Sequence, residues 1–460
     1  MLRSTASKVM WVGRATVFLV GLSVILALIF GAASAALGAN GDSFILGKAA
    51  NTATNMTGLV GNIADTTKAA LSIRNTRGGS ALALRVGSPT VAANDVAPMK
   101  VNSTKKVDNL NADTLDGLDS TDFQGKYAQT VVVAKSGGDF TSVQAALDSI
   151  TDASASKHYL VWVGPGTYNE RVQMKAFVDI EGAGELATRI TASVGGGFAA
   201  SSSVVSGASD AELRHLTVEN TGGTGEYVMA IFNASASPRL SNVTATASGG
   251  TDINVGVNNA SSSPTMNDVT ATASGAGGNA AFGVSNSGGS FPKMTDVTAK
   301  GSDAPYNVGI NNAGSSPTMN DVSAKAEGGA NARGMENSTS SPTLTNVNVG
   351  ASGGSAENTG VYNAFHSSPT IRESVISASG TASLGVWGLL PNDTTSVVKI
   401  ENSEVKGVTG TVKAEDGYKV NIGASKLDGG AVSAIGTGSA VKCAGVHDES
   451  YVFTAGPACP

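Results

Sequence analysis

The sequence predicts a parallel β-helix, an all-β solenoid in which each repeat forms one coil. Prolines recur at 238, 264, 292, 317, 342 and 369, with spacings of 25 to 28 residues. Such a period is typical of a stacked repeat whose single units cannot bury their own apolar faces. Short alternating segments rich in Val and Thr, separated by Gly-, Ser- and Asn-rich bends, indicate strands rather than helices. Each strand would pair with its counterpart one coil away, about 4.8 Å along the axis.

The first strand of each repeat has a fixed internal pattern. An apolar residue stands two positions after the proline and a Val three positions later, as in Met266 and Val269. The residue before this Val is Asn or Asp in five repeats: Asn242, Asp268, Asp296, Asp321 and Asn346. We predict a left-handed turn at this column, because Asn and Asp tolerate that conformation better than most residues. A strip of carboxylates or a metal site is the alternative, and Asn at two of the five positions weakens it.

A second apolar strand follows roughly 19 residues after each proline. Its inward positions are predicted to be Ile231, Val257, Val284, Ile310, Met335, Val361 and Val386. Side chains alternate along a strand, so the next residue of each repeat should point outward. These outward residues are Phe232, Asn258, Ser285, Asn311, Glu336, Tyr362 and Trp387. Exposed aromatics beside amides and acids suit a sugar-binding groove, and six of the seven (all but Ser285) are our candidate binding residues. An ordinary solvated face is the alternative.

Residues 1–40 are predicted to be an export signal. Arg3, Lys8 and Arg14 precede the apolar run Val17–Phe30, and small residues follow at 32–36. A basic flank, an apolar core and an Ala-x-Ala-like cleavage site are typical of a secretory signal. The uncharged run is also long enough to span a bilayer, so a retained membrane anchor is the alternative.

Residues 41–128 have a different composition and are predicted to form a short β-rich stalk. The segment 109–123 resembles a linker found in bacterial surface proteins and phage tail fibres, which often adjoins trimeric stalks; this resemblance implies a homotrimer. Aspartates recur every third residue, at Asp113, Asp116, Asp119 and Asp122. A calcium site is one interpretation, although the spacing does not match an EF-hand loop, and turn or capping aspartates are the other.

The β-helix itself is predicted over 129–440, with a cap at each end. Residues 140–150 are predicted to form a short amphipathic helix, with Thr141 and Gln144 as its capping box, over the open N-terminal end. Cys443 and Cys459 are the only cysteines, and in an exported protein they most simply form one disulfide. Closing that loop contributes about 3 kcal/mol and would pin a C-terminal cap over 441–460.

Residues 131–191 carry more specific motifs. These are Gly-Asp-Phe-Thr-Ser-Val-Gln-Ala-Ala from Gly138, Gly-Thr-Tyr-Asn-Glu-Arg-Val from Gly166, and Gly-Ala-Gly from Gly182 followed by Thr-Arg-Ile. The repeats resemble the pectin-lyase-like right-handed β-helices, and this stretch resembles the N-terminal part of pectin methylesterases. The resemblance implies the fold, a polysaccharide partner and, where the machinery is intact, ester hydrolysis.

The catalytic positions implied by that resemblance are only partly present. Esterases of this type use two carboxylates in adjacent coils, one attacking the ester carbonyl and one transferring protons. Asp252 matches the acid/base position, but Thr251 stands in place of a Gln. The nucleophile position falls on Ala280 or a neighbour, with no carboxylate nearby. We found no matching Arg. The esterase machinery is therefore predicted to be missing.

Charge and residue spacing argue against nucleic-acid-binding and metal-dependent functions. The net charge of −6 and the absence of a basic patch argue against nucleic acid, and the four histidines have no metal-type spacing, so we predict no cofactor and no metal. The predicted function is an exported, secreted or cell-surface protein that binds or scaffolds against polysaccharide without an intact active site. It would meet a membrane only through its N-terminal segment. A pectinesterase-type enzyme using Asp252 and a structural stalk or adhesin are the alternatives.

Overall fold

The structure, a computed structural model, describes residues 13–26, 127–275, 277–389 and 395–460. Residues 13–26 form helix α1. Among the described residues, no helix has the length and apolar character needed to cross a membrane. The predicted stalk, its linker motif and the aspartates at 113–122 lie outside the described residues, and so does most of the predicted export signal. Those predictions stay predictions.

From Gln129 onward the chain winds into a right-handed parallel β-helix with three faces. Strands are numbered along the chain. The first face contains β1 Gln129–Val133, β2 Tyr159–Val163, β5 Val178–Gly182, β16 Thr318–Asn320, β19 Thr343–Thr345, β22 Thr370–Arg372, β25 Val397–Glu401, β28 Lys419–Gly423 and β31 Ala440–Ala444. The second contains β3 Gly166–Asn169, β6 Thr188–Ala192, β17 Ser323–Glu327, β20 Asn348–Ser352, β23 Val375–Ser379, β26 Glu404–Gly407, β29 Lys426–Gly429 and β32 Val446–Asp448.

Four longer strands bend from the first face into the second, so that these two faces form one continuous sheet. They are β8 Glu212–Asn220, β10 Arg239–Ala247, β12 Thr265–Ser274 and β14 Lys293–Ser302. The third face is a separate sheet of eleven strands. It contains β4 Val172–Gln173, β7 Ser203–Ser206, β9 Tyr227–Ala234, β11 Ile253–Ala260, β13 Ala280–Ser287, β15 Tyr306–Ala313, β18 Asn331–Ser338, β21 Glu357–Ala364, β24 Ser383–Leu389, β27 Gly410–Glu415 and β30 Ser433–Ile435.

The predicted turn column lies between the first and second faces. All five of its residues have left-handed backbone, with φ between 51° and 56°. Asn242 donates to Asp268 across one coil at 2.5 Å, so stacked polar side chains also link neighbouring coils. This confirms the structural interpretation of the column. Among the described residues, no group of three or more His, Cys, Asp and Glu side chains is placed to hold a metal ion.

The core is a set of rows that run along the helix axis. Paired strands keep identical positions in register, as in Val243 beside Val269 beside Val297. The seven predicted inward residues of the third face are all 0% exposed, which confirms their orientation. Burial of each such side chain contributes about 1.5–3 kcal/mol.

A ladder of buried asparagines also runs inside the third face. It consists of Asn233, Asn259, Asn286, Asn312, Asn337 and Asn363, all 0% exposed. The side-chain amides of the first five each donate to the side-chain oxygen of the next asparagine at 2.8 to 2.9 Å, and Asn363 donates to the Trp387 backbone carbonyl at 3.4 Å. Buried amides need such partners, because leaving one unpaired costs about 1–3 kcal/mol. The ladder therefore helps to hold the coils in register.

The N-terminal end is covered by helix α2 Val143–Ser149, whose buried residues Val143, Ala146 and Leu147 face the first coils. The predicted capping box is wrong. Ser142 is the N-cap, and Glu170, on the bend after β3, accepts hydrogen bonds from the Val143 and Gln144 backbone N–H groups at 2.8 and 3.0 Å. A carboxylate from the β-helix satisfies the orphan donors that a local capping box would otherwise satisfy.

At the C-terminal end the ladder continues through β31 and β32, and a short strand, β33 Phe453–Thr454, pairs antiparallel with β32. Cys443 and Cys459 form the predicted disulfide, with 5.0 Å between their Cα atoms. Cys443 is 2% exposed within β31. The bridge therefore ties the terminal segment to the last coil.

Candidate binding face

The outer surface of the third sheet, which we call the outer face, carries large side chains that do not belong to the main core. Met229, Phe232 and Val255 form an apolar cluster of their own. Charged residues occupy the same rows further along: Arg333 follows Met229 and Val255 in register, and Glu336 follows Phe232. The outer face is thus apolar toward the N-terminal end and charged toward the C-terminal end.

The predicted outward row lies on this face, but it is less exposed than we predicted. Phe232, Asn258 and Tyr362 are 4%, 2% and 9% exposed, whereas Asn311, Glu336 and Trp387 are half-buried. In-register neighbours stand about 4.8 Å apart, so long side chains lie against one another and shield each other from solvent. The face therefore presents packed side chains with limited exposed surface.

Arg333 is the centre of the charged half. Its guanidinium contacts Glu357 through two nitrogens at 2.8 and 2.9 Å, contacts Glu336 at 3.1 Å and lies 3.7 Å from the ring centroid of Tyr362. Tyr306 donates its hydroxyl to Glu336. We call these five residues the arginine cluster. Two carboxylates and a tyrosine ring thus enclose one cation.

Burial and the neighbouring charges together set the protonation states in the arginine cluster. Burial raises the pKa of Tyr306, and the charges on Glu336 and Glu357 raise it further, so the phenol stays neutral and donates to Glu336. Burial alone would lower the pKa of Arg333, but the hydrogen bond to Glu357 and the nearby negative groups outweigh it and raise the pKa. Arg333 therefore stays protonated, and its guanidinium is paired with the carboxylates of Glu336 and Glu357.

An aromatic pair continues the row toward the C-terminal end. The rings of Tyr362 and Trp387 meet edge to face with centroids 5.1 Å apart. Trp387 donates its indole N–H to Glu415 at 2.8 Å, and the Lys413 ammonium lies 5.1 Å from the indole centroid. Trp387, Lys413 and Glu357 line an open cavity of about 420 Å³. The indole is held at a fixed angle beside space that a ligand can enter.

Asp252 lies at the edge of the outer face, in the bend directly before β11. Its carboxylate accepts a hydrogen bond from the Asn279 side chain at 2.7 Å. Asn279 occupies the same position one coil later, next to the predicted nucleophile position Ala280, which is 8% exposed. The preceding coil places Glu226 in this column, because the Ile253 N–H binds the Glu226 carbonyl at 2.7 Å. The carboxylate that lies in register with Asp252 on an adjacent coil is therefore that of Glu226, one coil earlier.

Several residues of the outer face were not predicted from the sequence. Arg333 and Glu357 lie in the rows beside the predicted one, and Lys413 continues the predicted row after Trp387. The pairing register of the strands, extended from the predicted row, would have placed these three residues on the outer face. Phe198 also reaches this face, from the loop before β7, and its ring lies 5.2 Å from that of Phe232. No periodic pattern connects Phe198 to the repeats, so sequence reasoning could not place it.

The fold is a parallel β-helix of the pectin-lyase-like type. Residues 198–293 match the family called Pertactin. Over 98 residues the chain is 34% identical to the Arabidopsis thaliana protein named "Putative pectinesterase 11", a match that spans 20% of this chain and 28% of that protein. Both matches cover a minor part of the chain.

The chain is also similar to solved structures, at low identity and low TM-score. A pectin methylesterase from carrot is 13% identical, with 69% of this chain and 82% of that chain covered and a TM-score of 0.28. The catalytic domain of a GH87 α-1,3-glucanase in complex with tetrasaccharides is 12% identical, with 68% of each chain covered and a TM-score of 0.41. The A-module of the Azotobacter vinelandii mannuronan C-5 epimerase AlgE6 is 14% identical, with 66% and 94% covered and a TM-score of 0.36.

Proposed function

We propose that this chain is an exported protein that binds polysaccharide along the outer face. The observation that carries the proposal is the indole of Trp387, which lines an open cavity and packs edge to face against the ring of Tyr362. Aromatic walls with a few polar groups are typical of small-ligand sites, and oriented aromatic rings give contact area with little loss of conformational freedom. The disulfide is consistent with an oxidising compartment, which supports export to the cell surface or the medium.

The arginine cluster supports binding over catalysis on this part of the face. A catalytic cation or acid must be available to the substrate, whereas Arg333 already contacts Glu336 and Glu357. These ion pairs hold the ring of Tyr362, which in turn contacts Trp387. The cluster therefore acts as a rigid support for an aromatic binding surface.

Replacing Trp387 with Ala is expected to weaken glycan binding at least tenfold. The substitution removes the indole that borders the cavity and leaves Glu415 without its indole donor. A tenfold loss corresponds to about 1.4 kcal/mol, which is within the range expected for a buried aromatic contact. The measurement is the dissociation constant of the full-length chain for the oligosaccharides that it binds in a screen.

Phe291→Ala is the matched control, because Phe291 is an aromatic residue that is 58% exposed in the bend before β14, away from the outer face. It should bind as the unaltered chain does. Equal affinity for the two variants would contradict a binding role for Trp387. Thermal unfolding of both variants would show whether a loss of affinity reflects a loss of fold.

One observation favours a second candidate, a pectinesterase-type enzyme. Glu226 and Asp252 lie in one column on adjacent coils, and Glu226 is exposed. Two carboxylates in adjacent coils are what ester hydrolysis by nucleophile and general acid requires. The Arabidopsis relative is also named as a pectinesterase.

Methanol release from methyl-esterified pectin tests this candidate. We expect no release above that of a heat-inactivated sample, because Asn279 rather than a carboxylate follows Asp252 and binds it. Release that disappears in both Asp252→Asn and Glu226→Gln would show that the chain is an esterase using this pair. Asp268→Asn, at an exposed turn on the opposite side of the coil, is the control substitution.

A further inference from the structure

A second, separate cavity lies at the N-terminal end of the outer face. It has a volume of about 300 Å³, and its lining includes Phe198, Tyr227, Phe282, Asn258, Ser285 and Asn311. The lining comes from the four strands β9, β11, β13 and β15 and from Phe198 in the loop before β7. We call it the aromatic pocket. The arginine cluster lies between it and the cavity beside Trp387, since β18 follows β15 in the third sheet.

The walls of the aromatic pocket are held in place. Phe198 meets Tyr227 edge to face with centroids 5.2 Å apart, and Phe282 meets Tyr306 at 6.0 Å. Gly196, two residues before Phe198, exchanges two backbone hydrogen bonds with Tyr227, at 2.7 and 3.1 Å. Phe198 itself is 48% exposed. The loop therefore fixes an aromatic rim at the mouth of the pocket and leaves one side of the ring free for contact.

Asn258 supplies the polar floor and has an unused hydrogen-bonding group. The residue is 2% exposed, and its side-chain oxygen has no hydrogen-bond partner among the described residues. A buried acceptor without a donor is unfavourable unless a ligand or water satisfies it. Its neighbours across the coils, Ser285 and Asn311, bind each other at 3.3 Å. The pocket lining therefore includes a side-chain amide that is not fully paired within the chain, which suits a ligand that carries hydroxyl groups.

The charge around the aromatic pocket limits what can enter it. None of its described lining residues is Asp, Glu, Lys, Arg or His. Glu226 and Asp252 directly precede the lining residues Tyr227 and Ile253 along the chain. A ligand carboxylate would lose its hydration there without gaining a cation, and it would meet two negative groups at the edge. The pocket therefore disfavours uronic acids.

We propose that the aromatic pocket binds an uncharged pyranose unit of the polysaccharide, with a sugar hydroxyl hydrogen-bonded to the side-chain amide of Asn258 and an apolar ring face against Phe198. This inference rests on the proposed function and specifies its ligand class as neutral glycan. The pocket suits such a ligand because a neutral sugar combines C–H surface for the aromatic walls with hydroxyl donors for the amide floor.

The test uses calorimetry to measure the affinity of the full-length chain for two panels of oligosaccharides of equal length. The neutral panel contains gluco-, galacto- and manno-oligosaccharides, and the acidic panel contains oligogalacturonate and oligomannuronate. We expect at least one neutral oligosaccharide to bind, and at least tenfold more tightly than either acidic one. The variant Asn258→Leu should lose at least tenfold in affinity for that sugar, and Phe198→Ala should also bind it more weakly.

Asn258→Leu also separates a ligand-binding role from a structural one. Because Asn258 Oδ1 has no partner in the unliganded chain, its removal should leave the melting temperature unchanged or raised. Asn267→Leu, at an exposed position of β12, is the matched control and should retain full affinity.

The outcomes are distinguishable. Tighter binding of an acidic oligosaccharide, or unchanged affinity in Asn258→Leu, would overturn the inference while leaving polysaccharide binding intact. A lower melting temperature for Asn258→Leu with unchanged affinity in Phe198→Ala would make the role of Asn258 structural and would also overturn it. No binding to either panel would overturn the proposed function and this inference together.

Discussion

Replacing Arg333 with Met is expected to destabilise the protein by about 3–5 kcal/mol, because it leaves buried carboxylates without their counter-charge. The side chains of Arg333, Glu336 and Glu357 are only 14%, 17% and 16% exposed. Solvent screens such a group weakly, so the loss of one partner is not compensated by water. The measurement is the denaturant midpoint of unfolding, monitored by circular dichroism.

Arg372→Met is the matched control, since Arg372 contacts Glu401 at 2.7 Å with side chains that are 48% and 47% exposed. An exposed ion pair of this kind contributes about 0–1 kcal/mol. Adding Glu336→Gln and Glu357→Gln to Arg333→Met should restore part of the lost stability, because the buried charges are then gone. Similar midpoints for Arg333→Met and Arg372→Met would show that the arginine cluster does not support the outer face.

Replacing Asn286 with Leu is expected to destabilise the protein by about 2–6 kcal/mol, since two buried groups lose their amide partner and each costs about 1–3 kcal/mol. Asn286 accepts from Asn259 and donates to Asn312, both at 2.8 Å, and all three side chains are 0% exposed. Leu has a similar size, so the effect reports hydrogen bonding rather than a cavity. The change should appear as a lower thermal and denaturant midpoint.

Asn267→Leu serves again as the control, because Asn267 lies at an exposed position of β12 and surface substitutions usually change stability by about 0.5 kcal/mol or less. The difference between the two variants isolates the contribution of burial within the asparagine ladder. If Asn286→Leu unfolds at the same midpoint as Asn267→Leu, the asparagine ladder contributes nothing measurable to the register of the coils.

The sequence by itself determined the coil, its register and its left-handed turn column. These follow from local conformation and from the repeat, since each strand pairs with the equivalent strand one period later. Val243, Val269 and Val297 are therefore neighbours wherever the solenoid forms. Asp268 lies at its turn for the same local reason, because its side chain tolerates a φ of 52°. The disulfide between Cys443 and Cys459 was predictable because the sequence contains two cysteines.

Only the tertiary structure decided which residues of the outer face are accessible to a ligand and which side chains surround them. The alternation of a strand shows that Tyr362 points away from the core, but not that Arg333 and Trp387 cover its ring. The N-cap acceptor Glu170 lies 28 residues after Ser142 along the chain, and no helix pattern points to it. Contacts of this kind depend on distances across coils and loops rather than on periodicity. The repeat pattern therefore predicts the scaffold and one row of the outer face, whereas burial and charge pairing depend on how side chains pack across coils.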